Sequence, residues 1–274
     1  MSRGLPVPRT GEGRAGLAAI VRDPGRALIA LDFDGTLSPI VSEPAAARAH
    51  PAAVPALRDL SGRVGTLAII TGRPAAGAVD LGRLAQVPGL IVLGHYGWER
   101  WQRGTLDSPP PPPGVAAARA RLPDLLTAAG APDGTGIEGK DLAVAVHTRR
   151  TADPAGALAR LAGPMAELAA EHGLVVQPGR MVIELRPAGT NKGAALAALA
   201  SERGAGAVMF AGDDVGDLPA FQAVRDLREA GHPGLTVCSA SGEVTSLAAE
   251  ADLVVDGPDG VMALLAALAG AVRS

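Results

Sequence analysis

The stretch "RALIALDFDGTLSPIV", residues 26–41, joins an apolar run to two acidic side chains. The run ALIAL (27–31) is continuous rather than alternating, which is typical of a strand buried on both faces of a parallel sheet. Asp32 ends this run, and Asp34 follows two positions later. Because two negative charges at the end of a buried strand repel each other, the sequence predicts a positive partner close to them.

Further apolar runs of this kind recur along the chain: TLAII (66–70), GLIVLG (89–94), AVMFAG (207–212), LTVC (235–238) and DLVVDG (252–257). Ala- and Leu-rich segments at 191–204 and 260–272 predict helices. Asn191 or Thr190 would cap the first of them, and Gly204 would end it. Strands that alternate with helices predict an α/β fold with a doubly wound, Rossmann-like parallel sheet.

Residues 103–188 interrupt the alternation. They open with SPPPPPG (108–114), which is stiff by composition and is interpreted as a hinge or surface loop. Two predicted helices and two partly alternating strands follow, at 115–130, 154–172, 141–149 and 180–187. Alternation is typical of an antiparallel sheet with one open face. We therefore predict an inserted α+β domain at 103–188, within a core formed by residues 1–102 and 189–274.

The composition of the chain argues against several classes of protein. Of the 274 residues, 47% are hydrophobic and 19% charged, so a substantial core is expected. The net charge of −3 argues against a nucleic-acid partner. The single cysteine, Cys238, excludes an internal disulfide and fits a reducing compartment. The longest uncharged apolar segment (261–272) is shorter than the about 20 residues of a membrane span, so we expect a cytoplasmic protein without membrane contact.

Acidic residues come directly after two of the apolar runs: Asp32 and Asp34 after the first, and Asp213, Asp214 and Asp217 after AVMFAG. In a doubly wound sheet, ligands bind beyond the carboxyl ends of the strands. Acids that meet there need a hard cation, and Mg²⁺ prefers oxygen ligands and often bridges to a phosphate. The sequence therefore predicts a Mg²⁺ site, with Lys192 as a second positive charge.

Paired carboxylates of this kind suit the hydrolysis of a phosphate monoester. Asp32 can attack phosphorus and form an aspartyl-phosphate, which splits one difficult step into two easier ones. Asp34 can protonate the leaving alkoxide and later deprotonate water. Thr71 and Lys192 offer donors for the phosphoryl charge. An isolated DxDG is usually a turn, and GDDVGD alone could belong to a calcium loop; the order of the elements along the chain favours catalysis.

Four segments resemble the motifs of the haloacid dehalogenase superfamily of aspartate-nucleophile phosphatases: DFDGTL (32–37), ITGR (70–73), NKG (191–193) and FAGDDVGD (210–217). Within that superfamily the chain resembles the trehalose-6-phosphate phosphatases over residues 26–268. The segments GHYGWER (94–100), EGKDLAVAVHTR (138–149) and GRMVIELRPAGTNKGAAL (179–196) carry this second resemblance. Tyr96, Trp98 and Gly216 depart from the family's usual pattern.

The resemblance implies a role for each matching residue. Asp32 would be the nucleophile and a Mg²⁺ ligand, and Asp34 the general acid and base, with its backbone carbonyl on the metal. The remaining implied roles are Asp213 as metal ligand supported by Asp214 and Asp217; Thr71, Gly72 and Lys192 for the phosphoryl group; and Arg73, Glu138, Lys140 and Glu184 for the sugar. The inserted domain would be a mobile cap that excludes water.

The leading hypothesis is thus a Mg²⁺-dependent phosphatase that converts trehalose 6-phosphate to trehalose and phosphate. Sucrose phosphate or mannosylglycerate phosphate are alternative substrates, and a phosphomutase is a less favoured reaction. A non-catalytic sugar-phosphate-binding partner of a trehalose-phosphate synthase is the alternative from another class. Association with such a synthase is also expected to be possible for the active enzyme.

Overall fold

The computed structural model describes residues 4–41, 43–139, 142–179, 181–240 and 246–272. The chain forms two compact units. The first unit contains Met1–Ser108 and Asn191–Ser274, and the second contains Pro109–Thr190. The sequence-based boundaries were 103 and 188. Residues 105–107 lie in the first unit because they form an edge strand of its sheet.

Twelve strands occur among the described residues: β1 (Ala27–Leu31), β2 (Thr66–Ile70), β3 (Ile91–Gly94), β4 (Glu99–Gln102), β5 (Thr105–Asp107), β6 (Gly136–Gly139), β7 (Val144–His147), β8 (Leu174–Gly179), β9 (Val182–Pro187), β10 (Ala207–Gly212), β11 (Gly234–Ala240) and β12 (Leu253–Asp256). The α-helices of the same part of the chain are α1 (Gly11–Arg22), α2 (Ala53–Leu60), α3 (Ala75–Gly82), α4 (Pro113–Ala128), α5 (Pro154–Glu171), α6 (Lys192–Arg203), α7 (Leu218–Glu229), α8 (Ser246–Glu250) and α9 (Gly257–Ala271).

The first unit is built on an eight-stranded sheet in the order β12-β11-β10-β1-β2-β3-β4-β5. Strands β12 to β3 of this order run parallel, and β4 and β5 add an antiparallel hairpin at one edge. Helices pack on both faces, so the predicted α/β class is confirmed. The strand order reverses next to β1, whose neighbours are β2 and β10. Ligands bind in the crevice beside such a reversal.

The apolar run at 27–31 forms the central strand because both of its faces are covered. Leu28 and Ala30 belong to one buried cluster, and Ile29 and Leu31 belong to the cluster on the opposite face. Burying each Leu or Ile side chain is worth about 1.5–3 kcal/mol, whichever face it is on. A strand that is covered on both faces therefore carries apolar residues at every position instead of alternating apolar and polar ones.

The second unit has helices α4 and α5 and a four-stranded antiparallel sheet in the order β6-β7-β9-β8. Its own buried cluster includes Leu122, Leu161 and Leu185. Along β9 the residues alternate between buried and half-buried, as the sequence predicted for a sheet with one face toward a core. The α+β composition expected for this segment is present.

Several elements were not predicted from the sequence. The β4–β5 hairpin was divided by the predicted boundary at 103, because ERWQRGTLD lacks a continuous apolar run that would indicate a strand. The sequence analysis named no helix at α1, where Thr10 caps the first turn by accepting the N–H of Gly13 at 2.9 Å. In the part of the chain that the structure describes, no helix combines the length and apolarity needed to cross a membrane.

Candidate active site

Three buried carboxylates meet at the carboxyl edge of the parallel sheet. Asp32 follows β1 and Asp213 follows the neighbouring strand β10, and the N–H of Asp32 donates to the carbonyl of Ala211 at 2.9 Å. Asp217 lies in the turn between β10 and α7. One oxygen from each of the three carboxylates lies within 4.8 Å of the others. The sequence-based expectation that these acids come together is therefore met.

Lys192 is the positive partner of Asp32, the first acid of the DxDG segment. It is the first residue of α6, whose N-cap Asn191 accepts the N–H of Ala194 at 2.8 Å. The Lys192 ammonium lies 2.9 Å from Asp32 Oδ1 and 2.7 Å from Asp217 Oδ1. Burial alone would lower the pKa of Lys192, but the two carboxylates outweigh it and raise that pKa. The amine is therefore a fixed positive charge.

Asp217 holds this lysine and the acidic loop together. Its Oδ1 accepts from Lys192, while its Oδ2 accepts the backbone N–H groups of Asp213 at 2.9 Å and Asp214 at 3.2 Å. The Asp214 carboxylate in turn accepts the N–H of Gly216 at 2.8 Å. The sequence had given Asp217 only a supporting role. The structure places it at the centre of the network.

Gly35 makes room for the Asp213 carboxylate. Its φ is +70°, and a Cβ at this position would lie 1.9 Å from Asp213 Oδ2. Its carbonyl accepts the hydroxyl of Ser239, on β11, at 2.7 Å. Gly35 is therefore needed for two reasons. It permits the left-handed turn, and it lets the DxDG loop come close to Asp213 at the end of β10.

The electrostatics of the cluster suit a hard cation. Burial raises the pKa of Asp32 to about 7. The charge of Lys192 lowers this pKa and the charge of Asp217 raises it, but burial is the largest effect. Burial and the neighbouring carboxylates raise the pKa of Asp213 to about 8. A divalent ion would reduce the repulsion between carboxylates that face each other. Carboxylate oxygens are also the ligands that Mg²⁺ prefers. The residues present thus fit a magnesium site.

Asp34 is engaged by Arg73. The guanidinium donates two hydrogen bonds of 2.6 Å, one to each carboxylate oxygen of Asp34. A third hydrogen bond of 3.0 Å goes to the carbonyl of Pro44, and the guanidinium lies 5.5 Å from the centre of the Phe33 ring. Arg73, predicted as a sugar contact, is therefore first a partner of Asp34. A proton transfer by Asp34 would require this ion pair to loosen.

Thr71 and Gly72 form the turn after β2. The Thr71 N–H donates to the carbonyl of Leu93 at 3.0 Å, which continues the strand pairing past its end. The Thr71 hydroxyl oxygen accepts the N–H of Arg73 at 3.2 Å, so its own hydrogen can be donated elsewhere. Thr71 is buried and Gly72 is half-buried, so the turn leads from the base of the site toward solvent.

The predicted sugar-binding residues other than Arg73 belong to the second unit. Glu138 on β6 and Glu184 on β9 are both paired with Ala145 of the intervening strand β7. They therefore share one face of the sheet and stand on either side of a small side chain. Glu138 Oε2 lies 2.5 Å from Nε2 of His147. The remaining candidate, Lys140, lies outside the described residues.

Glu99 is a buried acid that the sequence analysis did not single out. Its Oε2 accepts the N–H of Ala75, the first residue of α3, at 2.7 Å, and its Oε1 accepts the Ser108 hydroxyl at 2.9 Å. The helix it caps follows directly after the Thr71–Arg73 turn. The sequence carries no clear signal for this position, because glutamate is almost always exposed unless the fold supplies partners for it.

The fold is shared with solved structures of other proteins. The structure superimposes on a haloacid dehalogenase-like hydrolase from Bacteroides thetaiotaomicron with a TM-score of 0.61, at 18% identity over 87% of this chain and 98% of that one. The trehalose-6-phosphate phosphatase of Aspergillus fumigatus gives a TM-score of 0.72, at 23% identity over 97% of this chain and 99% of the other. At these identities the likeness establishes the fold.

The sequence model described as trehalose-phosphatase matches residues 30–257, and the chain belongs to that family. A trehalose-phosphate phosphatase of Mycobacterium avium is 36% identical over 206 residues, which are 71% of this chain and 50% of the relative. An uncharacterized glycosyl hydrolase of Mycobacterium tuberculosis is 36% identical over 215 residues, 73% of this chain but 15% of the relative. The chain thus spans half or less of these relatives. The predicted resemblance is confirmed.

Proposed function

We propose that this protein is a Mg²⁺-dependent phosphatase that hydrolyses trehalose 6-phosphate to trehalose and phosphate through an aspartyl-phosphate. The observation that carries the proposal is the buried Asp32 carboxylate at the reversal of the strand order, 2.9 Å from the Lys192 ammonium and next to Asp213. Membership of the trehalose-phosphatase family supports the substrate. The names of the mycobacterial phosphatases support it as well.

In the first half-reaction a carboxylate oxygen of Asp32 attacks phosphorus, and the bond from phosphorus to the sugar oxygen breaks. The Lys192 ammonium and the Thr71 hydroxyl stabilise the charge on the phosphoryl oxygens. Asp34, once its pair with Arg73 has loosened and it has taken a proton from solvent, gives this proton to the leaving alkoxide. Trehalose leaves, and the phosphoryl group stays on Asp32.

In the second half-reaction water attacks the phosphorus of the aspartyl-phosphate. Asp34, now a carboxylate, takes the proton of this water, and the bond between phosphorus and the Asp32 oxygen breaks. Phosphate is released and Asp32 returns as a carboxylate. Asp32, Asp213 and the backbone carbonyl of Asp34 would hold Mg²⁺, which supplies neutralising charge for the phosphoryl group.

Glu138 and Glu184 are proposed to accept hydrogen bonds from hydroxyl groups of the sugar. Both carboxylates lie on one face of the second unit's sheet, with only the methyl group of Ala145 between them in register. A site that satisfies sugar hydroxyls with charged partners rejects analogues that lack those hydroxyls. Lys140, two positions after Glu138, remains a predicted third contact.

The test is phosphate release from trehalose 6-phosphate, sucrose 6-phosphate, mannosylglycerate phosphate and glucose 6-phosphate, with Mg²⁺ and with a chelator. Asp32→Asn is compared with Asp226→Asn, which alters an exposed acid on α7. We expect trehalose 6-phosphate to be preferred, the chelator to abolish turnover, and only Asp32→Asn to lower kcat by about 10³-fold or more.

Each rival corresponds to a different outcome of this test. Preference for another ester would retain the chemistry and exclude the proposed substrate. Binding of trehalose 6-phosphate without turnover by the folded wild-type protein would favour the non-catalytic partner of a trehalose-phosphate synthase. Association of an active enzyme with such a synthase remains a prediction, and co-purification of the two proteins would test it.

A further inference from the structure

The turn that follows β3 is the most strained part of the first unit next to the candidate site. His95 has a φ of +47° and Tyr96 a φ of +60°, so two successive residues with side chains adopt the left-handed conformation. Gly97 follows with a φ of +99°. Left-handed backbone costs of order 1–3 kcal/mol at a non-glycine residue, and it persists where the surrounding structure enforces it.

Hydrogen bonds fasten this turn to the Thr71–Arg73 segment. The N–H of Tyr96 donates to the carbonyl of Thr71 at 2.9 Å, and the N–H of His95 donates to the carbonyl of Arg73 at 2.9 Å. On its other side the turn touches α6, the helix that begins with Lys192. A Cβ at Gly97 would lie 2.7 Å from the Cβ of Ala195. The turn therefore bridges both elements that carry the proposed phosphoryl donors.

The phenol of Tyr96 lies over Gly72. A Cβ at Gly72 would come 2.8 Å from the Tyr96 hydroxyl oxygen and 2.9 Å from the ring carbon that bears it. The glycine after Thr71 is thus required by the ring, since any larger residue would displace it. The left-handed backbone is what aims this ring at the phosphate-binding turn.

Solvent exposure increases from the base of the site outward. Asp32 and Thr71 are 4% and 1% exposed, whereas Gly72 and Tyr96 are half-buried. A phosphate ester with its phosphorus at Asp32 has its alcohol portion on the side toward solvent. Gly72 and the phenol follow the buried Thr71 toward solvent, so they are available to contact this portion.

We propose that Tyr96 contacts the substrate, with its ring against the sugar carbon atoms next to the scissile bond and its hydroxyl hydrogen-bonded to a sugar oxygen. An aromatic ring with a polar tip suits a hexose, which offers both C–H groups and hydroxyls. The strain at His95 and Tyr96 is retained because it holds the ring in place. The inference rests on the proposed phosphatase function and assigns a sugar-binding residue within it.

The test compares Tyr96→Phe and Tyr96→Asn on trehalose 6-phosphate and on acetyl phosphate, a small phosphoryl donor without a sugar. Tyr96→Phe removes only the hydroxyl and is expected to raise KM for trehalose 6-phosphate about 3- to 10-fold, with kcat little changed. Tyr96→Asn removes the ring and keeps a residue that tolerates left-handed backbone. It is expected to lower kcat/KM for trehalose 6-phosphate about 30-fold or more, and for acetyl phosphate less than about 3-fold.

Arg103→Asn is the matched control. Arg103 is exposed, has a φ of +53°, and forms the two-residue turn of the β4–β5 hairpin with Gly104. Asparagine is favoured in such a turn. Arg103→Asn should raise the thermal midpoint by a few degrees and leave both activities unchanged, and Tyr96→Asn should not lower that midpoint.

The outcomes separate the inference from the function it rests on. If Tyr96→Asn retains wild-type kcat/KM for the sugar ester, the inference is wrong. It is also wrong if kcat/KM falls equally for both substrates and the thermal midpoint falls, because Tyr96 then has no specific role toward the sugar. If the wild-type protein releases phosphate from neither compound, the proposed function fails, and the inference fails with it.

Discussion

Asp217 joins the parts of the candidate site at the level of single atoms. One of its oxygens binds the Lys192 ammonium, and the other binds the backbone N–H groups of Asp213 and Asp214. A carboxylate with both oxygens occupied by its own protein is a poor candidate for a further ligand role. We infer that Asp217 orients Lys192 and the acidic loop, and that Asp32 and Asp213 keep oxygens available for a metal.

Gly35→Ala tests the close approach between the DxDG turn and Asp213. The added Cβ would clash with the Asp213 carboxylate and would also be strained at a φ of +70°. We expect kcat/KM to fall about 100-fold or more because the carboxylate must move. We also expect the free energy of unfolding to fall by about 1–3 kcal/mol. Kinetics and urea denaturation measure the two effects.

Gly62→Ala is the control for the strain alone. Gly62 has a φ of +76°, and nothing lies within 4 Å of the position of an added Cβ. This variant should lose about 1 kcal/mol of stability and keep its activity. Equal losses of activity in the two variants would show that backbone strain, and not the contact with Asp213, determines the effect of Gly35→Ala.

The raised pKa values predict how pH acts on the metal-free protein. Asp32 and Asp213, with pKa values of about 7 and about 8, keep protons that the unfolded chain releases near pH 4. Between these values the folded state binds more protons than the unfolded state, so the free energy of unfolding falls as pH rises from about 4 to about 8. Mg²⁺ should offset this loss most strongly at the upper end.

Thermal unfolding at pH 5 to 8, in a chelator and in Mg²⁺, checks this prediction. Asp213→Asn is the comparison, because its side chain cannot release a proton and its stability should fall less with pH. A metal-free wild-type protein that becomes more stable from pH 5 to pH 8, relative to Asp213→Asn, would contradict the account of the acidic cluster.

At the level of elements, helix α6 positions Lys192 through its first turn. Asn191→Ala removes the side chain that accepts the N–H of Ala194, and loss of such a cap costs about 1 kcal/mol. Because Lys192 is the first residue of this helix, we expect kcat to fall about 3- to 30-fold as the ammonium loses its fixed position. Steady-state kinetics and the urea midpoint measure both consequences.

Asp153→Ala provides the equivalent cap loss elsewhere. Asp153 caps α5 in the second unit by accepting the N–H of Gly156 at 2.9 Å. It should show a similar loss of stability with kcat within about twofold of the wild type. A fall in kcat as large as that of Asn191→Ala would mean that general destabilisation explains both variants.

The elements that the sequence predicted are those with a strong local pattern. Continuous apolar runs identified the six parallel strands, and Asn191 and Gly204 marked the two ends of α6 as expected. The β4–β5 hairpin was missed because an edge strand with little buried surface has no comparable pattern. The ion pair between Asp34 and Arg73 was missed because it joins residues 39 positions apart, and only the fold brings them together.

At the scale of the whole molecule, each unit has a core of its own. Two buried clusters cover the faces of the large sheet, and a third lies within residues 115–185 of the second unit. The sequence predicted this division from the break in the strand–helix alternation. The predicted boundary at 103 differs from the observed one at Pro109, because the proline-rich segment indicates a change of structure but does not show that a strand of the first unit precedes it.

Separate cores predict separate responses to core mutations. Leu161→Ala removes a fully buried side chain from the second unit and should cost about 2–5 kcal/mol there. We expect amide hydrogen exchange to accelerate across residues 109–190 and to remain unchanged in strands β1 and β10. Acceleration of the same size in both units would show that they unfold as one cooperative body.

The central claim is that Asp32 accepts the phosphoryl group. The most direct test mixes excess protein with trehalose 6-phosphate in Mg²⁺, quenches in acid during a single turnover, and analyses the peptide that contains Asp32 by mass spectrometry. We predict one transient phosphoryl group on Asp32. In Asp32→Asn we predict no adduct, and phosphate release that is slower by about 10³-fold or more. Release of phosphate by Asp32→Asn at the wild-type rate, with no phosphoryl group on the wild-type peptide, would contradict the account.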